Sequence, residues 1–153
     1  MPKTFPEDVL RGPWDEATLL DFVARTAAPM RLAVNRPSGF PLLTPLWHIW
    51  ADGEIWAAAR SRSAVVRSLR RDGRCAFEIS VETPPYMGVR GHGHALIESN
   101  GKEVLEILLS RFMGDAAPNF RKRLLNAAQQ GESAIRIRPE RLTSWDFAKR
   151  MAE

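Results

Sequence analysis

Apolar residues recur along this chain in short groups, spaced in some stretches as in a helix and in others as in a strand. The stretch "WDEATLLDFVARTA" places Leu19, Leu20, Phe22 and Val23 near helical spacing. Asp15 and Glu16, just ahead of them, are typical of a helix start. We therefore predict a helix here. Further helices are predicted over 62–71, over "KEVLEILLSRFM" and over 118–130.

The strand patterns come in two groups. "RLAVNR", "FPLLTPLWHIW" and "EIWAAAR" are separated by the turn sequences "PSG" and "ADG", which predicts a meander of three antiparallel strands. "RCAFEISV" and "MGVRGHGHALIES" follow as strands. The glycines of the second suggest a bulge or a close approach of another group to this strand. The last segment, "SAIRIRPERLTSWDFAK", is interpreted as two short strands broken at Pro139.

Six or seven mostly sequential strands with helices at the start, middle and late positions predict a mainly β fold, a barrel with flanking helices. A chain of 153 residues is expected to form a single domain, 1–153. Residues 1–26 are then an N-terminal helical extension, and 101–130 a helical insertion before the last strands.

The composition of the chain limits the cellular compartments expected for the protein. No apolar run approaches the roughly 20 residues that a membrane-spanning helix needs, and the N-terminus lacks the apolar stretch of a secretory signal. The single cysteine, Cys75, excludes an internal disulfide framework and is expected to be buried. These features predict a cytoplasmic protein with no membrane partner.

The positive charge is concentrated in one short segment. The formal net charge is +4, and the excess lies in "RSRSAVVRSLRRDGR", residues 60–74. Nucleic-acid binding through this segment would show a steep salt dependence. Because the arginines are confined to one element, no nucleic-acid partner is expected.

Several segments in order carry a family resemblance: "RLAVNRPSGFPLLTPLWHIW", "DGEIWAAA", "SAVVRSLRRDGRCAFEI", "PPYMGVRGHGHALI", "LLSRFMG" and "RLTSWDFAKR". Over about Ala27 to Arg150 the chain resembles the FMN-binding split-barrel family related to pyridoxamine 5'-phosphate oxidase. The resemblance implies a six-stranded antiparallel split β-barrel with Greek-key connections. It also implies a homodimer with FMN in each groove between the subunits.

The resemblance also implies which residues meet the cofactor. Strand residues would run along the flavin ring. The end of the next strand, Ala58, Ala59 and Arg60, would approach the ribityl chain and phosphate, and the following turn and helix would hold the phosphate. The cofactor-binding residues implied are Pro45, Leu46, Trp47, Ala59, Arg60, Ser61, Arg62, Ser63, Arg67, Arg90 and Trp145. The chain departs from the family at Val65 and Ser68, where many members carry lysine and asparagine, so Arg60 or Arg62 is expected to substitute.

The function implied is a flavin-dependent oxidoreductase that transfers a hydride between the flavin and an unidentified small-molecule substrate. A deazaflavin coenzyme is the close alternative. Another is a non-catalytic protein that binds flavin or haem, with His48, His92 and His94 as the haem-side candidates. His48 is also the candidate catalytic histidine, its alternative being a half-buried structural role. No metal site is expected, because His92 and His94 share a strand face without a carboxylate or cysteine at ligand spacing.

Overall fold

The computed structural model describes residues 5–153, which form a strongly curled antiparallel sheet with helices packed around it. The strands are β1 (Leu10–Arg11), β2 (Met30–Asn35), β3 (Pro41–Leu46), β4 (Ile49–Ala51), β5 (Glu54–Arg60), β6 (Arg74–Ser80), β7 (Met87–Glu98) and β8 (Glu132–Asp146). The helices are α1 (Glu16–Arg25), α2 (Ala64–Arg71), α3 (Gly101–Met113), α4 (Pro118–Ala128) and α5 (Ala148–Met151). The first four residues of the predicted N-terminal extension lie outside the described part of the chain.

The strands are ordered β3-β2-β6-β7-β8-β5-β4, and β1 adds to β8 in parallel. β3 pairs with β2 at one end of the sheet, whereas β4 pairs with β5 at the other. Only Trp47 and His48 separate β3 from β4, so the two ends of the sheet must curl toward each other. This confirms the predicted mainly β barrel architecture with flanking helices.

The core lies inside the curl. Alternate residues of the central strands point inward and are almost completely buried, as the two-residue period of a strand requires. Leu32, Phe77, Ile79, Ile135 and Ile137 are all 3% exposed or less. Cys75 joins this core, as predicted, and burial raises the pKa of its thiol to about 12.

Three predictions about the strands are wrong. The sheet has eight strands rather than six, seven in its main path and β1 beside β8. The middle strand of the predicted meander is interrupted at Trp47 and His48, although both predicted pairings occur, β2 with β3 and β4 with β5. β8 runs unbroken through Pro139, which lies opposite Gly93 where the β7–β8 register shifts. A bulge tolerates a proline because the ladder bond it cannot donate is already interrupted there.

The glycine prediction for β7 is confirmed at this same point. A Cβ added to Gly93 would lie 2.0 Å from the carbonyl oxygen of Arg138. The bulge and the close approach therefore occur together. Within residues 5–153, no helix combines the length and the apolar character needed to cross a membrane.

Candidate functional site

A groove of about 420 Å³ lies where the ends of β3 and β5 meet the pair of helices α3 and α4. This volume falls within the range of small-molecule sites in proteins. Its lining residues are Pro29, Pro45, Leu46, Trp47, Ala58, Ala59, Arg60, Leu105, Leu108, Leu124 and Glu132. We call it the strand-end groove.

Two strand ends form the floor of the strand-end groove. β3 contributes Pro45 and Leu46 and then breaks at Trp47, while β5 contributes Ala59 and ends at Arg60. Because β3 is an end strand, only its β2 side is paired among the strands of residues 5–153. Its other edge therefore carries backbone N–H and C=O groups that are free to meet a ligand.

Helix α3 forms the apolar wall through Leu105 and Leu108. The helix can lie this close to the sheet because it begins at a glycine. A Cβ added to Gly101 would lie 2.4 Å from the carbonyl carbon and oxygen of Glu132. The wall is thus fixed directly against the backbone of β8.

The tryptophans mostly pack against the protein. Trp47 stacks on Phe112 with a centroid distance of 5.6 Å and an interplanar angle of 7°, so one face of its ring is covered. Trp50 meets Phe77 edge-on. The Arg136 guanidinium lies over the ring of Trp56. Of these three tryptophans, Trp47 is the one that lines the strand-end groove.

Arg60 and Glu132 supply the charges of the groove. They are direct cross-strand partners, and Arg60 Nε lies 4.0 Å from Glu132 Oε2. The Glu132 side chain is only 6% exposed, whereas that of Arg60 is 56% exposed. Burial raises the pKa of Glu132, and the charge of Arg60 partly opposes that rise. The groove therefore combines apolar walls with one solvent-facing cation and one buried carboxyl group.

The turn after β5 is held by its own serines. Ser61 Oγ lies 2.8 Å from Ser133 Oγ, and the Ser61 amide donates to the carbonyl of Gly131. Ser63 caps α2 by accepting a hydrogen bond from the amide of Val66. Arg62 is exposed. That this turn binds a phosphate stays a prediction.

The other residues implied by the resemblance lie elsewhere. Arg67 lies on the exposed side of α2 and lines a separate groove. Arg90 projects from β7, with its guanidinium carbon 5.4 Å from the centroid of the Trp145 ring. In this single chain, neither Arg90 nor Trp145 lines the strand-end groove.

The histidines are divided between the interior and the surface. His48 is fully buried, with Nε2 3.2 Å from the carbonyl oxygen of Ala28, and burial lowers its pKa to about 4. His92 and His94 are exposed on one face of β7, as predicted. No group of three or more His, Cys, Asp or Glu side chains in the described part of the chain could hold a metal ion.

Sequence reasoning missed five lining residues: Pro29, Leu105, Leu108, Leu124 and Glu132. The leucines belong to helices whose apolar faces predict packing alone. No feature of the neighbouring sequence predicts that Glu132 is buried, because its burial depends on Arg60, Gly101 and the sheet register. Only the folded structure shows that these five residues line the strand-end groove together.

Comparisons with known proteins identify the fold. Neither a protein-family model nor a curated protein matches the sequence. The solved structure of the conserved hypothetical protein Rv2991 from Mycobacterium tuberculosis is 29% identical, with 95% of this chain and 91% of that chain covered and a TM-score of 0.73. A Listeria innocua protein assigned as a pyridoxamine 5'-phosphate oxidase is 16% identical, with 87% and 98% covered and a TM-score of 0.63. An F420 reductase is 19% identical, with 85% and 97% covered and a TM-score of 0.61.

The chain has the split-barrel fold of the pyridoxamine 5'-phosphate oxidase-like proteins. The resemblance seen in the sequence is therefore confirmed for the fold. The split barrel places the strand-end groove against the break between β3 and β4. The structural neighbours of this chain include proteins with flavin-type cofactors. These similarities do not define a reaction or a substrate for this chain.

Proposed function

We propose that this split barrel binds a flavin-type cofactor in the strand-end groove and transfers a hydride between that cofactor and a small-molecule substrate. The observation that carries the proposal is the convergence of two strand ends in one apolar groove. Pro45, Leu46 and Trp47 meet Ala59 and Arg60 there. Each of these residues was implied by the sequence resemblance, and β3 and β5 are not neighbours in the sheet.

The groove offers what a flat ring with a polar edge requires. The unpaired edge of β3 supplies backbone donors and acceptors, and Leu105 and Leu108 exclude water from the opposite side. A bound flavin would supply the redox chemistry. Arg60 is then suited to an anionic tail, because its guanidinium is exposed while its partner Glu132 is buried.

FMN is the cofactor we propose, and a deazaflavin coenzyme is the alternative. The similarity to an F420 reductase supports the alternative. Both cofactors carry a flat tricyclic ring and a phosphate-bearing tail, so the same floor and wall serve either one. The two differ in absorbance, which makes the choice measurable.

We also propose a homodimer. The outer face of β2, β3, β6 and β7 carries a shallow depression of about 320 Å³ that includes Ala33, Leu43, Ala76 and Arg90. Leu43 is 67% exposed, and burying such a side chain on a second copy is favourable by about 2 kcal/mol. Arg90 would then lie in the interface between the subunits, as the resemblance implies. Sedimentation of the full chain measures the oligomeric state.

The cofactor proposal is tested by titrating the full chain with riboflavin, FMN and F420 and following the absorbance and fluorescence of each. We expect saturable binding of at least one of them. Arg60→Gln should weaken binding of a phosphate-bearing cofactor about tenfold, the loss of one charge-assisted contact, and leave riboflavin unchanged. Arg70→Gln on the exposed side of α2 is the matched control.

The possible results separate the parts of the proposal. If none of the three compounds is taken up, the proposed function is wrong. If FMN binds equally well to Arg60→Gln, the ring site stands and the position given to the phosphate is wrong. Once a cofactor is bound, its reduction and reoxidation by added small molecules measure the hydride transfer itself.

A further inference from the structure

A second groove, of about 370 Å³, lies between the β2–β3 turn and one side of α2. Its lining residues are Arg36, Pro37, Ala64, Arg67, Ser68 and Arg71. It shares none of them with the strand-end groove. We call it the arginine groove, because three of its six lining residues are arginines.

The charges of the arginine groove are not balanced by carboxylates. None of its three arginines takes part in the ion pairs found among residues 5–153, and none of its lining residues is acidic. The acidic residue adjacent in sequence, Asp72, is occupied elsewhere. Arg74 Nη2 donates to it at 2.8 Å and Arg74 Nε at 3.0 Å, and Asn35 Nδ2 at 3.2 Å.

One of the arginines, Arg71, is also held in place beside Arg67. Arg67 and Arg71 are one helical turn apart on α2, so they share a face. Arg71 Nη2 donates a 3.2 Å hydrogen bond to the carbonyl of Asn35, which ties it to the strand that leads to Arg36. Like charges one turn apart on a helix repel each other. An anion between them would remove that repulsion.

We propose that the arginine groove binds the phosphate group of a small molecule. Guanidinium groups bind phosphate through paired N–H donors, and a concave site lined by three of them is suited to a multiply charged group. The phosphate could come from the tail of a flavin-type cofactor or from a separate phosphate ester. The inference rests on the charges of this groove and not on the proposed function.

The site is tested by calorimetric titration of the full chain with inorganic pyrophosphate at about physiological ionic strength. We expect saturable binding that Arg36→Gln and Arg71→Gln each weaken about tenfold, as expected for one charge-assisted contact. Arg70→Gln removes a charge from the same helix outside the groove and should weaken binding less than twofold. Comparing these variants separates a defined site from a general basic surface.

A second titration identifies the source of the phosphate. If Arg36→Gln weakens FMN binding but not riboflavin binding, the phosphate is that of the cofactor. If it weakens pyrophosphate binding and leaves FMN unchanged, the groove binds a separate phosphate ester. Either result supports the site.

Three results overturn the inference. One is no saturable pyrophosphate binding together with no effect of Arg36→Gln on FMN. Another is an equal loss of binding in Arg70→Gln. The third is tight binding of an oligonucleotide that excess pyrophosphate cannot displace. The proposed function fails on a different observation, the absence of any riboflavin, FMN or F420 uptake.

Discussion

The buried His48 makes the stability of this protein dependent on pH in a defined window. The imidazole lies at the break between β3 and β4, fully enclosed, and its Nε2 is within hydrogen-bonding distance of the Ala28 carbonyl. Its Nδ1 is buried with no hydrogen-bond partner among the described residues. A ring in this position is stable when neutral and is costly to protonate.

The magnitude follows from the pKa. Burial lowers the pKa of His48 from 6.5 to about 4, the repulsion from Arg111 adds to that lowering, and the Ala28 hydrogen bond opposes it. Between pH 6.5 and pH 4, His48 is protonated in the unfolded chain but stays neutral in the folded chain. Stability is therefore full above pH 6.5 and falls as the pH drops toward 4. The loss from this group reaches about 3 kcal/mol by pH 4, at 1.36 kcal/mol for each pKa unit.

Urea unfolding at several values between pH 7 and pH 4 measures this effect. His48→Gln keeps an amide that can donate to the Ala28 carbonyl and removes the titrating group. The difference in unfolding free energy between wild type and His48→Gln should change by about 3 kcal/mol across the window, because the other titrating groups cancel. His92→Gln, at an exposed position of β7, should follow the wild type. A wild-type-minus-variant difference that stays constant with pH would refute a buried neutral imidazole.

Two further predictions concern the residues that fix the wall and floor of the strand-end groove. Gly101→Ala should lower the unfolding free energy by about 1–3 kcal/mol, because its Cβ would meet the β8 backbone at 2.4 Å and force α3 outward. Lys102→Ala is the control. Equal urea midpoints for the two variants would contradict the prediction, because they would show that α3 adjusts freely. Arg111→Met should cost about 2–4 kcal/mol, because Arg111 donates to the carbonyls of Val23 and His48. Arg123→Met is the control for the latter, and a loss of the same size there would contradict that explanation.

Local sequence patterns predicted the elements well where burial repeats with the period of the element. The prediction for β5 matches Glu54–Arg60 end to end, because the "ADG" turn, with Asp52 and Gly53 at positive φ, fixes where the returning strand begins. Pro139 was misinterpreted for a physical reason. A proline breaks a regular ladder, but here β8 carries an extra residue, Glu140, between the partners of His92 and Gly93, and this bulge lets the strand continue through Pro139. The bulge depends on the pairing of β8 with β7, which the residues around the proline do not reveal.

The site was predictable only in part. The residues at the ends of β3 and β5 came from the resemblance. Glu132 could not be found, because its burial depends on the β5–β8 register and on where α3 begins. The resemblance assigned Arg67 to the cofactor as a basic residue on the helix after the turn, and that role stays a prediction. On α2, the direction of a side chain is set by its helical position, and this directs Arg67 into the arginine groove.

The break between β3 and β4 joins the stability of the fold to the shape of the proposed site. Trp47 lies in the strand-end groove and stacks on Phe112, while the next residue, His48, is buried and its carbonyl receives Arg111. Protonation of His48 would therefore act directly beside Trp47, where the groove floor ends. A ligand that requires the ordered floor binds the neutral form better, and by linkage it must oppose protonation of His48 to the same extent. Acid sensitivity and ligand affinity are thus expected to change together at the strand-end groove.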